Sequence, residues 1–304
     1  MKKYIVAFLI GIVAFVFFKL KFNPESILLR HLEKKYNKEF VIAYSGERSD
    51  GRSKWFEAEI YPKELVGTTR EYDKYYWAKG FVEDGKGGDT YGGVLLNESA
   101  NKFYLPKLKE LFGKNVLPIL NVEGYYEKTD FQEEMARRRE FYKKDPKGNF
   151  FPISGGIYIF GRVESDEDRE WYRKQIYEFV QFMKQTGTFE YVDLDILVVD
   201  SRELISNPRK LLENLPKNLP VEEWRKQRRV LMKVGNEEFN NMTQEELSEK
   251  INSINKSEYL KEFYGGLLGI KVYSPKYIKS QGLDNREIRE YNSITDVKFD
   301  WEMW

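Results

Sequence analysis

The amino-acid sequence predicts an α+β fold carried behind an N-terminal transmembrane helix, with a globular region of mixed or mainly antiparallel sheet and flanking helices. Three observations predict it. Residues 4–18 contain no charged and no strongly polar side chain, and Lys2, Lys3, Lys19 and Lys21 bracket them. The chain combines 33% charged with 41% hydrophobic residues, the balance of a folded globular protein rather than a disordered one. The order of strand-like and helix-like segments is irregular, which favours α+β over alternating parallel units.

The N-terminal run has three readings. A cleaved signal peptide needs a basic start, an apolar core and a small-residue cleavage site. The run ends instead in Phe15, Val16, Phe17 and Phe18, and the chain has no cysteine for a lipid attachment. A membrane-spanning helix needs about 20 apolar residues; Leu20 and Phe22 extend the run, and its flanking lysines can reach the headgroups. An uncleaved signal-anchor over 1–22 is the leading reading, with a cleaved signal and a buried core helix as alternatives. The flanking cations, Lys2, Lys3 and the terminal amine against Lys19, Lys21 and Arg30, with Lys34 and Lys35 near the edge of the counted range, are nearly balanced. A short tail before a large domain favours a single-pass protein with the bulk of the chain outside the cytoplasm.

Asn23 and Pro24 break the run and start a helix, Pro24 suiting its first turn. Ile27, Leu28, Leu32 and Tyr36 supply its apolar stripe, which ends near Asn37. Residues 40–44 read as a strand, 55–61 as a second closed by Pro62, 75–82 as a third and 91–96 as a weaker fourth, together an antiparallel meander. Leu105, Leu108, Leu111 and Phe112 make a short helix stopped by Gly113. The apolar run 116–122 accommodates Pro118 only at a sheet edge. Thr129 or Asp130 caps a helix reaching Tyr142, followed by a turn cluster at 145–149.

Residues 157–163 form the next strand. Ser165 and Asp168 then make a near-capping box that sets Asp166, Glu167 and Asp168 at a helix N-terminus. Tyr172, Ile176, Phe179 and Met183 give this helix one apolar side, Gly187 closes it, and Val192, Leu194, Ile196 and Val198 line one face of the strand beyond. The 157–199 unit is compatible with a parallel crossover, although its pairing is not readable from sequence. A proline-bearing linker at 207–220 is the internal boundary. A basic helix at 221–234, a helix opened by Thr243 and Glu246, and strands near 267–273 and 294–301 follow. The expected organisation is a membrane anchor at 1–22, an α+β domain at 23–206, and a C-terminal α+β region at 207–304, separate from that domain or continuous with it.

The chemistry is bounded by absences. With no cysteine there are no disulfides, thiolate metal sites or thiol nucleophiles. His31 is the sole histidine, which rules out a multi-histidine metal site, and it reads as a partly exposed residue of an amphipathic helix. Fifty basic against 49 acidic residues leave a net charge of +1, so nucleic acid is not an expected partner. No cofactor and no metal ion are expected. The glycine-rich stretch 84–90 lacks the spacing of a phosphate loop, has no helix expected after it, and reads as a hairpin loop. The paired glycines at 92–93 and 265–266 read as strand entries.

No catalytic motif stands out. Asp193 and Asp195 are the candidate catalytic pair: they share one strand face, with Asp200 nearby, and paired carboxylates can do acid–base work. Arg137, Arg138 and Arg139, and the basic run 225–229, read as solvated helix faces beside acidic neighbours. Aromatics reach 16%, and they serve as core fillers or as ligand platforms. Trp301 and Trp304 end the chain in an exposed-looking aromatic tail. The leading functional expectation is a cell-envelope binding or interaction module, bound to membrane lipid through 1–22 and to an envelope protein partner. The alternatives are an envelope glycan hydrolase using paired carboxylates and a membrane-tethered regulator facing the cytoplasm.

Overall fold

A computed structural model describes residues 23–200 and 268–302, apart from 125, 127, 128, 146–149 and 284, and apart from the side chains of Thr69, Tyr72, Asp200, Trp301 and Glu302. The segment 1–22 expected as an anchor, the linker and helices expected between 207 and 250, and the tail residue Trp304 lie outside the described residues. Among the described residues no helix is long and apolar enough to cross a membrane. The architecture is α+β, with one antiparallel and one mixed sheet and flanking helices. Two compact units divide between Leu95 and Leu96.

The first unit opens with α1, Pro24–Tyr36. The Asn23 side chain accepts a hydrogen bond from the Glu25 amide, and Asn37 ends the helix in the left-handed region at φ 52°. An antiparallel meander follows: β1 (Phe40–Ser49), β2 (Lys54–Pro62), β3 (Ala78–Glu83) and β4 (Lys86–Asp89), in that spatial order. Residues 75–77, expected to begin the third strand, instead complete a 3₁₀ turn at Lys74–Tyr76 followed by an extended residue. Leu28 and Leu32 of α1 are fully buried against Ala58, Ile60, Ala78 and Val82, and each such leucine contributes about 1.5–3 kcal/mol of burial. Gly80 makes this close packing possible, since a Cβ there would fall 2.7 Å from a Leu28 methyl.

The glycine-rich stretch divides between a turn and a strand. Asp84 (φ 48°) and Gly85 (φ 74°) close a two-residue hairpin between the paired residues Glu83 and Lys86, while Gly87 and Gly88 belong to β4 and pair with Val82 and Phe81. The helix not expected after it does exist. α2 spans Tyr91–Phe112, so residues 91–96 are helical rather than a fourth strand, and the helix expected near 105 is the last part of a longer one. A short run of glycines and apolar residues carries no reliable period by itself. The deciding pattern lies further on, where Leu96, Ala100, Tyr104 and Leu108 recur every fourth position and are all fully buried.

The second unit holds a five-stranded mixed sheet, with β5 (Val116–Val122), β6 (Ile153–Gly161), β7 (Val192–Asp200), β8 (Leu268–Tyr273) and β9 (Trp301–Glu302) in spatial order. β6 and β7 are parallel, joined by helix α4 (Asp166–Gln185) as a crossover, and the other pairings are antiparallel. The Ser165 and Asp168 capping box is fully formed. The stripe Tyr172, Ile176, Phe179 and Met183 packs with Val192, Leu194, Ile196 and Val198 in the main core. Helix α3 (Phe131–Lys144) is capped by Asp130, and the short α5 (Pro275–Ser280) follows β8. β5 lies at the sheet edge, which is where Pro118 is tolerated. Gly155, at φ 111°, passes so close to β5 that a Cβ would sit 2.3 Å from the Ile119 carbonyl. The strand expected over 294–301 is a 3₁₀ turn at Ile294–Asp296 and only the short β9. β8, from beyond the expected 206/207 boundary, hydrogen-bonds to β7, so both sides of it contribute to one sheet.

Candidate functional site

In the first sheet, Ala58 and Ile60 of β2 and Ala78 and Val82 of β3 face the core, so alternation places Glu57, Glu59, Tyr61, Lys79 and Phe81 on the opposite, outer face. β1 begins with Phe40 and Ile42 toward the core, and strict alternation would send Tyr44 the same way. A bulge between Ile42 and Tyr44 changes the phase. Tyr44 therefore stands on the outer face opposite Glu59, with 67% of its surface exposed.

Around Tyr44 the outer face builds an aromatic patch with a charge at its centre. Trp77 stacks on the buried Tyr61, ring centroids 4.9 Å apart at 20°, and lies 6.3 Å from the Tyr44 ring. Glu71 holds both stacked rings: its carbonyl accepts from the Trp77 indole N–H at 2.8 Å, and its carboxylate accepts from the Tyr61 hydroxyl at 3.1 Å and the Gly67 amide at 2.8 Å. The Lys74 ammonium sits 3.6 Å from the Trp77 ring centroid, 5.4 Å from that of Tyr44, and 2.5 Å from a Glu59 carboxylate oxygen. Glu57, one strand residue pair further along, meets Lys79 at 3.5 Å and Arg48 at 3.7 Å. The arrangement recognises rather than transforms: two ring faces and a carboxylate converge on a cation.

Asp193 and Asp195 do share one face of β7, with the core residues Val192, Leu194 and Ile196 on the other. Each meets a cation. Asp195 lies directly across from Lys271, whose ammonium is 3.0 Å away. Asp193 accepts from the Tyr277 hydroxyl at 3.0 Å and has the Arg286 guanidinium at 3.8 Å. Burial, and then that same carboxylate, raises the pKa of Tyr277, which keeps its phenol protonated as the donor. The side chain of Asp200 is not among those described.

Two other groups hold contacts that the sequence does not announce. His31 is partly exposed, as expected, and its Nε2 donates to Asp89 at 2.9 Å. Arg138 is buried against Glu134 at 3.1 Å and donates to the carbonyl of Phe151 at 2.7 Å and to that of Glu123, so it ties α3 to β5 and to the entry of β6. A crevice beside Arg138, Tyr142 and Tyr191 has room for about one water molecule. Among the described residues no cluster of three or more acidic or histidine side chains is placed to hold a metal ion.

The alternation of Glu57, Glu59 and Tyr61 against Ala58 and Ile60 was readable in sequence. The bulge that brings Tyr44 beside them, and the turn that places Lys74 and Trp77, carry no sequence signal of comparable strength.

No protein-family model matches the chain, and no curated protein matches it. Among solved structures, the crystal structure of a DUF5037 family protein from Ruminococcus gnavus is similar over 63% of this chain and 81% of that one, at 13% sequence identity and a TM-score of 0.33.

Proposed function

We propose that this chain is a membrane-anchored binding module of the cell envelope, held by segment 1–22 with its bulk outside the cytoplasm, and that it engages a protein partner through the outer face of the first sheet. The observation that carries this reading is the aromatic patch of Tyr44, Trp77 and Tyr61. A bulge turns the Tyr44 ring away from the core and toward solvent, where burial offers it nothing within its own sheet. Large aromatics on a rigid sheet, rimmed by charge, are the composition of an interface centre. The apolar run flanked by lysines supports the membrane attachment. The hydrolase reading draws less support, because Asp193 and Asp195 are each engaged by a cation rather than left to share a proton or activate water.

A photo-crosslinking amino acid at position 44, in cells that make the full chain, tests the proposal. A discrete protein adduct is expected from position 44 and not from position 279 in the second unit. Equal labelling from both positions, or none from 44, counts against it. Reporters fused to the C-terminus test the orientation, and a signal confined to the cytoplasmic reporter would reverse it.

A further inference from the structure

We infer that Tyr44, Trp77 and Glu59 form a receptor for an ammonium group, that Lys74 fills it within the free protein, and that the partner's own lysine side chain takes its place on binding. This rests on the binding-module reading above and names the group recognised.

The contacts of Trp77 decide the chemistry. Its indole has the Tyr61 ring stacked at 4.9 Å and the Lys74 ammonium at 3.6 Å, and both cannot occupy the same side at those distances. One ring face is thus built into the fold and the other is given to a cation. A sugar ring would need that second face open for stacking, whereas an ammonium meets surroundings already shaped for one. The Glu59 carboxylate supplies the counter-charge at 2.5 Å, and Tyr44 supplies a second ring at 5.4 Å. Trp77 is held in place, because the Glu71 hydrogen bonds fix both it and Tyr61, and Glu59 lies in the middle of β2.

Its occupant is the mobile component. Lys74 is 61% exposed on its side chain and sits in a three-residue 3₁₀ turn, so rotation of its methylene stem empties the site without moving the backbone. An internal ligand of this kind competes at an effective concentration of the order of millimolar, which masks the site against weak external cations and yields to a partner that also buries area on the surrounding face. A lysine side chain is the external ligand that reproduces the same ammonium on the same four-carbon stem.

The test uses the full chain in detergent with fluorine-labelled tryptophan, the Trp77 resonance being assigned by Trp77→Phe. The probe is Nα-acetyl-lysine methylamide, and Nα-acetyl-norleucine methylamide is its uncharged counterpart. With Lys74→Met, and with Lys74→Gln as a second emptied variant, the lysine probe is expected to shift the Trp77 resonance at a concentration about tenfold lower than in the parent chain. Adding Tyr44→Ala or Glu59→Gln to Lys74→Met should weaken that response about two- to fivefold. A Trp77 response equal for the lysine and norleucine probes, or no gain in either emptied variant, overturns the inference. A stronger response to tetramethylammonium than to lysine overturns the lysine assignment. Failure here leaves the crosslink from position 44 unaffected, and failure of that crosslink leaves this titration readable, so the two proposals fall separately.

Discussion

Asp89 shows how single residues in this chain take roles that their sequence neighbours do not announce. Its side chain has no exposed surface, and it accepts from Tyr36 at 2.6 Å, His31 at 2.9 Å, Lys35 at 3.0 Å and the Tyr91 amide at 3.0 Å. Burial works against the charge, but the hydrogen bonds from Tyr36, Lys35 and His31 outweigh it and hold the carboxyl below its ordinary range. A carboxyl whose folded pKa is depressed contributes stability that is complete above its unfolded value of about 3.9 and is lost as pH falls through the folded value. Asp89→Asn should therefore cost about 1–3 kcal/mol at neutral pH, read by urea unfolding. Its deficit relative to the parent should shrink on acidification below about pH 4. A deficit that widens there would refute this account of Asp89. The cluster was not legible because its partners are remote in sequence: His31 lies 58 positions from Asp89 and Tyr36 lies 53. A carboxylate at the end of a glycine-rich hairpin reads as surface until α1 is laid over β4. Tyr44 was opaque for a related reason, since a one-residue bulge reverses the face of every strand residue after it and leaves no mark in composition, and Lys74 because a 3₁₀ turn places it.

At the scale of elements, the best-read pieces are those whose signals are local. The Ser165 cap, the α4 stripe and the alternation along β7 each lie within one element, and all three are found where the sequence placed them. A misread piece, the start of α2, belongs to a helix whose period shows only further along, from Leu96 to Leu108. The same helix also explains how β5 survives as an edge. Alternate amides on the open side of β5 belong to positions 118, 120 and 122. Pro118 has no N–H, the Leu120 amide donates to the Asn101 side chain at 3.1 Å, and the Val122 amide donates to the Asn97 side chain at 2.7 Å. Two asparagines one helical turn apart on α2 therefore close the edge that another chain could otherwise pair with. Asn97 is nearly buried, so Asn97→Leu should strand the Val122 amide at a cost of about 1–3 kcal/mol. Hydrogen exchange at Val122 should accelerate more than at Ile119. Unchanged exchange at Val122 would mean that some other group satisfies that amide.

For the molecule as a whole, the α+β class and the strand–helix–strand unit were legible because they follow from the order and period of elements. The strand pairing within the mixed sheet was not, because the partners of β7 come from opposite directions in the chain, β6 before it and β8 after a long interval. The junction with the N-terminal run is where sequence and structure meet most directly. α1 carries its own start: the Asn23 side chain caps it, Pro24 occupies its first turn, and the Asn23 backbone is extended at φ −68°, ψ 124°. A helix with its own cap does not need an element before it to form, and its buried leucines, Leu28 and Leu32, pack on the sheet of the same unit. The proposed attachment through 1–22 would therefore be separable from folding of the unit that follows. Val13→Arg places a guanidinium within the apolar run and should penalise insertion by about 2.5–3.5 kcal/mol, moving the chain from the membrane fraction toward the soluble one. The same change should leave unfolding of the body within about 0.5 kcal/mol of the parent, because α1 has its own cap and its buried leucines pack within the first unit. Carbonate extraction of membranes reads the first property, and denaturant unfolding of the purified chain reads the second. Retention in the membrane despite the arginine would remove the anchor from the proposal. Loss of membrane attachment together with stability would show instead that the N-terminal run packs as part of the folded body.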